Sequence, residues 1–394
     1  VERVDDYTLK LSFVAPNPLF IEVMSRGTGN RATAWQIVPA HYLKQFHPTY
    51  NTELKATDTE ALIDRYDNRG NHLDMPHFGA WVITEYRPGE RILAERNPYY
   101  WKVDPEGHQL PYIDSVQFDI VENADLVNMK AVAGEIDMQH RHIVWANYPL
   151  FVENAEKGDY RILQWPLAEG SNCCLHPNEN HGDPVLRELM QNKDFRIALS
   201  HGIDRSAIHQ LAYQGFGEPR QAALIPECPF FKPEYATRYA DLDVAKANQI
   251  LDGVGLTNKD AEGFRLRPDG QPLTITIEYA PVFGPWRDTV QMICDQWKSI
   301  GIRGVPKEED RTLFCERGAA NEHDASIWTI DRCATPLGNP HWWHPHTGGY
   351  GWAEQYAIWY NTRGASGEEP PENIRRQFEL YDLIRGATPD ALPG

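Results

Sequence analysis

The stretch "FGAWVITEYRPGERILAERNPYYWKVDPEGHQLPYIDSVQFDIV", residues 78–121, is the most ordered reading the sequence offers. Two strand-like runs within residues 80–97 flank Pro88-Gly89, a pair that supplies a tight turn, so a hairpin is expected there. Asn97-Pro98 ends the second run, because the residue before proline is pushed toward extended backbone. Tyr99, Tyr100, Trp101 and Tyr112 then sit among three prolines and one glycine, in residues 97–114. Such a loop is expected to lay its rings over the sheet edge. Each well-buried ring is worth roughly 1.5–3 kcal/mol. Large aromatics more often pack than bind, so the loop reads as a structural clamp rather than a ligand contact. A third strand is expected at residues 116–120.

Working outward, residues 9–13 and 273–279 also alternate as strands. In the second, Leu273, Ile275, Ile277 and Tyr279 share one face, with Thr274, Thr276 and Glu278 on the other. Residues 127–133 read as a helix closed by Gly134. The run "DFRIALSHGIDRSAIHQLAYQG" holds two helices, with Asp194 and Asp204 as expected N-caps and Gly215 as the stop. Asp243 opens another helix, which ends near Gly253. In "PWRDTVQMICDQWKSIG", Val290, Ile293, Cys294 and Trp297 form one apolar stripe, and Gly301 ends it. A strand-like "IRGV" follows. Strand, helix and strand in that order predict a βαβ unit with a parallel pair.

Composition narrows the function classes. A chain of 394 residues is long enough for two or three domains. Its net charge of −18 disfavours nucleic acid, whose phosphates need clustered Lys and Arg. No run of 18 apolar residues suggests a membrane span. The chain opens "VERVDDYTLKLSF", close to a strand, which suggests a trimmed or fragmentary sequence. The six cysteines form no CxxC motif, and Cys294, on an apolar helix face, is expected to be a buried free thiol. Nucleophile-elbow, phosphate-loop, dinucleotide and zinc-protease motifs are all missing from the sequence.

Six phrases occur in a fixed order: residues 78–121, "AVAGEIDMQ", "DPVLRELMQNKDFRIALSHGIDRSAI", "QGFGEP", "DLDVAKANQILDGVGL" and "RLRPDGQPLTITIEY". Together they resemble the solute-binding proteins of ABC importers, in the class that includes oligopeptide, dipeptide, nickel and oligosaccharide receptors. The resemblance runs from Val1 to about Arg385. It implies an α/β periplasmic-binding-protein-like fold of the class II, cluster C type, with two lobes and a hinge, incomplete at both termini. The expected division is residues 1–75 as the remainder of an N-terminal-lobe subdomain, 76–180 as the N-terminal lobe core, and 181–394 as the C-terminal lobe. It further implies a periplasmic or otherwise extracytoplasmic monomer, membrane-anchored if at all through a missing leader. The implied partners are ABC permease subunits and a peptide or oligosaccharide ligand, with no cofactor, no metal and no catalysis.

The resemblance also points to site residues. "ASIWTIDRC", residues 325–333, reads as a buried strand followed by polar residues. In peptide receptors a similar W-x-x-D places its carboxylate against the peptide amine, so Trp328 and Asp331 are candidate ligand contacts. The "CATPLGNP" that follows is longer than the usual turn in peptide receptors. Trp342, Trp343 and Trp352, among glycine and proline, are candidates for stacking on a sugar or an apolar side chain. Asn172, in "EGSNCCLHPNEN", is a candidate cleft residue. Trp359 and Tyr360 are expected to be core. His341, His344 and His346 have a spacing open to metal, but solvated loop histidines are the simpler reading. Asp331 argues for peptide cargo and the tryptophan density for sugar, with peptide as the class default. A secreted carbohydrate-active enzyme is the rival class.

Overall fold

A computed structural model describes residues 1–21, 38–67, 72–76, 78–338, 340–345 and 351–387. Contacts divide the chain into two units: Val1–Leu19 with Lys130–Gly394, and Phe20–Met129. Neither boundary coincides with the expected 75 and 180. The chain leaves the first unit after Leu19 and rejoins it at Lys130.

Near the N-terminus, Glu2–Arg3 (β1) pairs antiparallel with Leu9–Lys10 (β2). The expected strand at residues 9–13 is thus only two residues long. Leu9, Leu11 and Phe13 are all exposed, so alternation here has no core to face.

In the Phe20–Met129 unit, Trp81–Arg87 (β3), Arg91–Arg96 (β4) and Ser115–Asp119 (β5) form an antiparallel sheet in the order β3-β4-β5. The hairpin turns at Gly89, whose φ of 75° suits glycine. The aromatic loop behaves differently from its expected role. Tyr99 is 89% exposed, Trp101 67% and Tyr112 65%. Polar bonds hold the loop instead. Asn97 donates to the Gly79 carbonyl at 2.9 Å and accepts from the Tyr99 N–H at 2.9 Å. The Gln109 amide donates to the carbonyls of Pro98 and Tyr100, both at 2.8 Å. The Tyr112 hydroxyl donates to the Asp104 carboxylate, so the loop folds on itself through polar bonds rather than by burying its rings.

In the other unit, Ser171–Pro177 (β6), Thr274–Tyr279 (β7), Arg303–Glu308 (β8) and Ala325–Ile330 (β9) form a mixed sheet in the order β6-β9-β7-β8. β7 runs parallel to both β8 and β9, and β6 runs antiparallel to β9. The helix Trp286–Trp297 connects β7 to β8, which is the expected βαβ unit. Its stripe of Val290, Ile293, Cys294 and Trp297 is buried, and the Trp297 indole N–H donates to the Leu199 carbonyl at 3.1 Å. Gly304 lies against this helix. A Cβ there would sit 2.9 Å from the Cys294 sulfur, so the close approach needs glycine. Every residue of β9 is buried, the signature of a central strand.

The helix caps follow local chemistry. Asn192, not Asp194, caps Lys193–His201, accepting from the N–H groups of Asp194 and Phe195 at 2.9 and 3.2 Å. Asp194 sits in the first turn, where a carboxylate meets the positive end of the helix. Asp204 and Asp243 cap their helices as expected. Arg196 pairs with Glu179 at 3.1 Å, and Arg205 donates to the carbonyls of Ser200 and Ala240, so both arginines serve the fold. Near the C-terminus, Ala353, Tyr356, Ile374 and Phe378 make a small core, with Trp352, Trp359 and Tyr360 packed on it.

Candidate solute-binding site

Because β7, β8 and β9 are parallel, their carboxyl ends share one edge of the sheet. β6 runs the other way, so its first residues join that edge, with Ser171 opposite Ile330. In open α/β sheets, ligands bind outside the carboxyl ends of the strands. Two acidic residues stand at the β6–β9 side of this edge, Glu169 just before β6 and Asp331 just after β9, while Glu308, Glu309 and Asp310 stand at the end of β8.

Asp331 accepts a hydrogen bond from the Trp342 indole N–H at 2.7 Å. The Arg332 guanidinium lies 3.6 Å from its other oxygen. Arg332 has a φ of 59°, which turns the chain sharply away from the strand. Across the edge, the Asn172 amide donates to Glu169 at 3.4 Å. The Asn172 side-chain oxygen accepts from the Tyr213 hydroxyl at 3.0 Å, and its carbonyl accepts from the Trp286 indole at 3.0 Å. Burial raises the Glu169 pKa above the usual carboxylate range. The Asn172 bond opposes this shift, and the charge of Asp331 adds to it.

The loop after β7 completes the wall. Phe283 meets the faces of Trp286 and Trp328 edge-on, at 6.0 and 5.5 Å. Arg141 and Arg311 lie over the Phe283 ring at 5.1 and 5.7 Å. Gly284 is required next to it, because a Cβ would collide with the Asn172 side-chain oxygen.

The candidate residues therefore separate. Asp331, Trp342 and Asn172 meet at this edge. Trp328 is 4% exposed, stacked on Phe314 at 5.5 Å beneath it, so it supports the edge from the core. Trp342 is itself only 6% exposed, packed between His341 and His176. Trp343 is half-buried against the main core, whereas Trp352 belongs to the separate C-terminal core. The histidines are not solvated as a set. His344 is buried beside Tyr360, Phe378 and Tyr381, while His346 lies outside the described residues. No group of three metal-ligating side chains is found among the described residues. Sequence reasoning missed Glu169, Tyr213, Phe283 and Arg311. Glu169 stands three residues before Asn172, but no local pattern set it apart from the other acidic residues.

The model of the family described as bacterial extracellular solute-binding proteins, family 5 Middle, matches residues 1–349. The chain is 28% identical over 347 residues to the periplasmic alpha-galactoside-binding protein of Rhizobium meliloti, covering 84% of this chain and 47% of that one. A solved structure of an oligopeptide-binding protein OppA aligns with a TM-score of 0.65 and 35% identity, over 100% of this chain and 65% of the other. The stachyose complex of MelB from Agrobacterium fabrum aligns with a TM-score of 0.70 and 23% identity, over 100% and 58%. The chain spans about half the length of the curated relatives it matches. No helix of the described residues is long and apolar enough to cross a membrane. The sheet with its carboxyl-edge site and the match along most of the sequence give one answer: the chain belongs to the bacterial extracellular solute-binding proteins of family 5, a family of binding proteins rather than enzymes.

Proposed function

We propose that the protein is the extracytoplasmic receptor of an ABC importer and that its cargo is an oligosaccharide. The observation that carries the sugar reading is the state of Asp331. An ammonium anchor needs a carboxylate whose charge is not already answered. Asp331 instead holds the Trp342 indole N–H and lies beside Arg332. Around the same edge, Arg141 and Arg311 add positive charge over Phe283. A neutral ligand that both donates and accepts hydrogen bonds suits this balance, and an aromatic wall suits the apolar face of a sugar ring. The alpha-galactoside-binding relative supports the same cargo class.

Short peptide is the second reading. The Trp328-x-x-Asp331 spacing and the OppA neighbour favour it. In either case the receptor acts by hinge closure. The solute shifts the population toward a closed form that the permease recognises, and the solute leaves unaltered.

A thermal-shift screen of the full-length receptor against α-galactosides, other oligosaccharides and short peptides separates the two, since a ligand of the folded state raises its melting temperature by mass action. The sugar reading expects shifts with sugars alone, diminished in Asp331→Ala. Shifts with peptides alone would discard it.

A further inference from the structure

Glu169 was not among the residues the sequence singled out, yet it has the geometry of a ligand group. It follows a segment exposed over residues 161–168 and is itself only half-buried, so it can be reached from solvent. One carboxylate oxygen is held by the Asn172 amide at 3.4 Å. Asn172 is in turn fixed by the Tyr213 hydroxyl at 3.0 Å and, through its carbonyl, by the Trp286 indole at 3.0 Å. That anchored chain runs from the core outward and orients the carboxyl group. The other oxygen, Oε1, has no partner among the described residues. Backbone bonds set Glu169 beside Asp331: the Gly170 N–H donates to the Ile330 carbonyl at 2.7 Å, and the Cys333 N–H donates to the Ala168 carbonyl at 3.0 Å. The backbone pairing thus brings two carboxyl groups to one end of the β6–β9 pair.

We propose that Glu169 is a second ligand-contacting carboxyl group, and that Glu169 and Asp331 together receive neighbouring hydroxyls of one sugar ring. This rests on the sugar reading above. Each carboxylate accepts from a hydroxyl, and adjacent hydroxyls on a pyranose present two donors a short distance apart. Asn172 is a positioning residue here, acting through Glu169. The donors already on both carboxyl groups leave room for hydroxyl donors rather than for a cation.

The test is calorimetric titration of the full-length receptor and its Glu169→Gln and Glu169→Ala variants with stachyose, raffinose and maltohexaose, alongside melting of each protein without ligand. The Gln variant keeps the shape and the Asn172 contact but loses the charged acceptor. The expected result is sugar binding by the wild type, weakened about tenfold or more in both variants, as loss of a charge-assisted bond implies, with unliganded melting unchanged. If the wild type binds sugar and both variants bind within about twofold of it, this inference is overturned and the sugar reading stands. Weakened binding matched by a fall in unliganded melting for both variants also overturns it, assigning Glu169 to packing. A wild type that takes none of these sugars overturns both.

Discussion

Single residues show where local sequence runs out. The sequence marked Asp331, Trp342 and Asn172, and the structure brings all three to one edge, but no spacing rule foretold the indole bond that occupies Asp331. Glu169 was invisible because one carboxylate among 56 acidic residues carries no local mark. Its place at the edge depends on β6 running antiparallel to β9, a fact of pairing rather than of composition. His176 gives a residue-scale prediction. Burial holds its imidazole down at about 4, and neighbouring His323 and His341 add to the shift. An unfolded chain takes up that proton near pH ~6.5. Between these values the unfolded state binds more protons, so stability present above about 6.5 is lost as the pH falls toward 4. Glu179, raised to about 6 by burial, works in the opposite direction over part of that range, but it is common to wild type and variant. In His176→Gln the urea midpoint should therefore fall less between pH 7 and pH 4.5 than in the wild type. Parallel falls in the two proteins would show that His176 is not the sensor.

At the scale of elements, regular structure was readable wherever a period met a core. The alternation over residues 273–279 and the stripe on helix Trp286–Trp297 were both correct, because the sheet and helix bury against each other. The alternation at residues 9–13 and the aromatic loop at 97–114 misled for one shared reason. A pattern states which face is apolar, not whether anything covers it. Glu278 is the converse case. It lies on the face opposite the apolar residues, yet it is buried between Lys307 at 3.1 Å and Arg317 at 2.8 Å. Arg317 also reaches buried Glu309 at 3.2 Å. Arg317→Ala would leave two buried carboxylates sharing one lysine. A destabilisation of about 3 kcal/mol is expected, in line with breaking buried ion pairs, and should show as a lower urea midpoint with an unchanged slope. A loss under about 1 kcal/mol would mean that water screens the network as at an exposed surface.

For the whole molecule, fold class was legible from the order of six weak phrases, since order along a chain is far more specific than any one phrase. The contact-defined units follow a different logic from a reading along the chain. Val1–Leu19 belongs with Lys130–Gly394, and a linear reading cannot see that an early segment rejoins a later one. The cargo was equally hidden, because the same W-x-x-D serves an anchor for an amine or a support for an indole, depending on what folds against it. The central claim is that the receptor takes a neutral sugar at the carboxyl edge of its sheet and releases the same molecule. Titrating the full-length protein with stachyose in a calorimeter, then recovering and chromatographing the sugar, addresses both halves at once. Saturable one-to-one binding with the tetrasaccharide recovered intact is the expected result; no heat with any oligosaccharide, or recovery of shorter sugars, would contradict it.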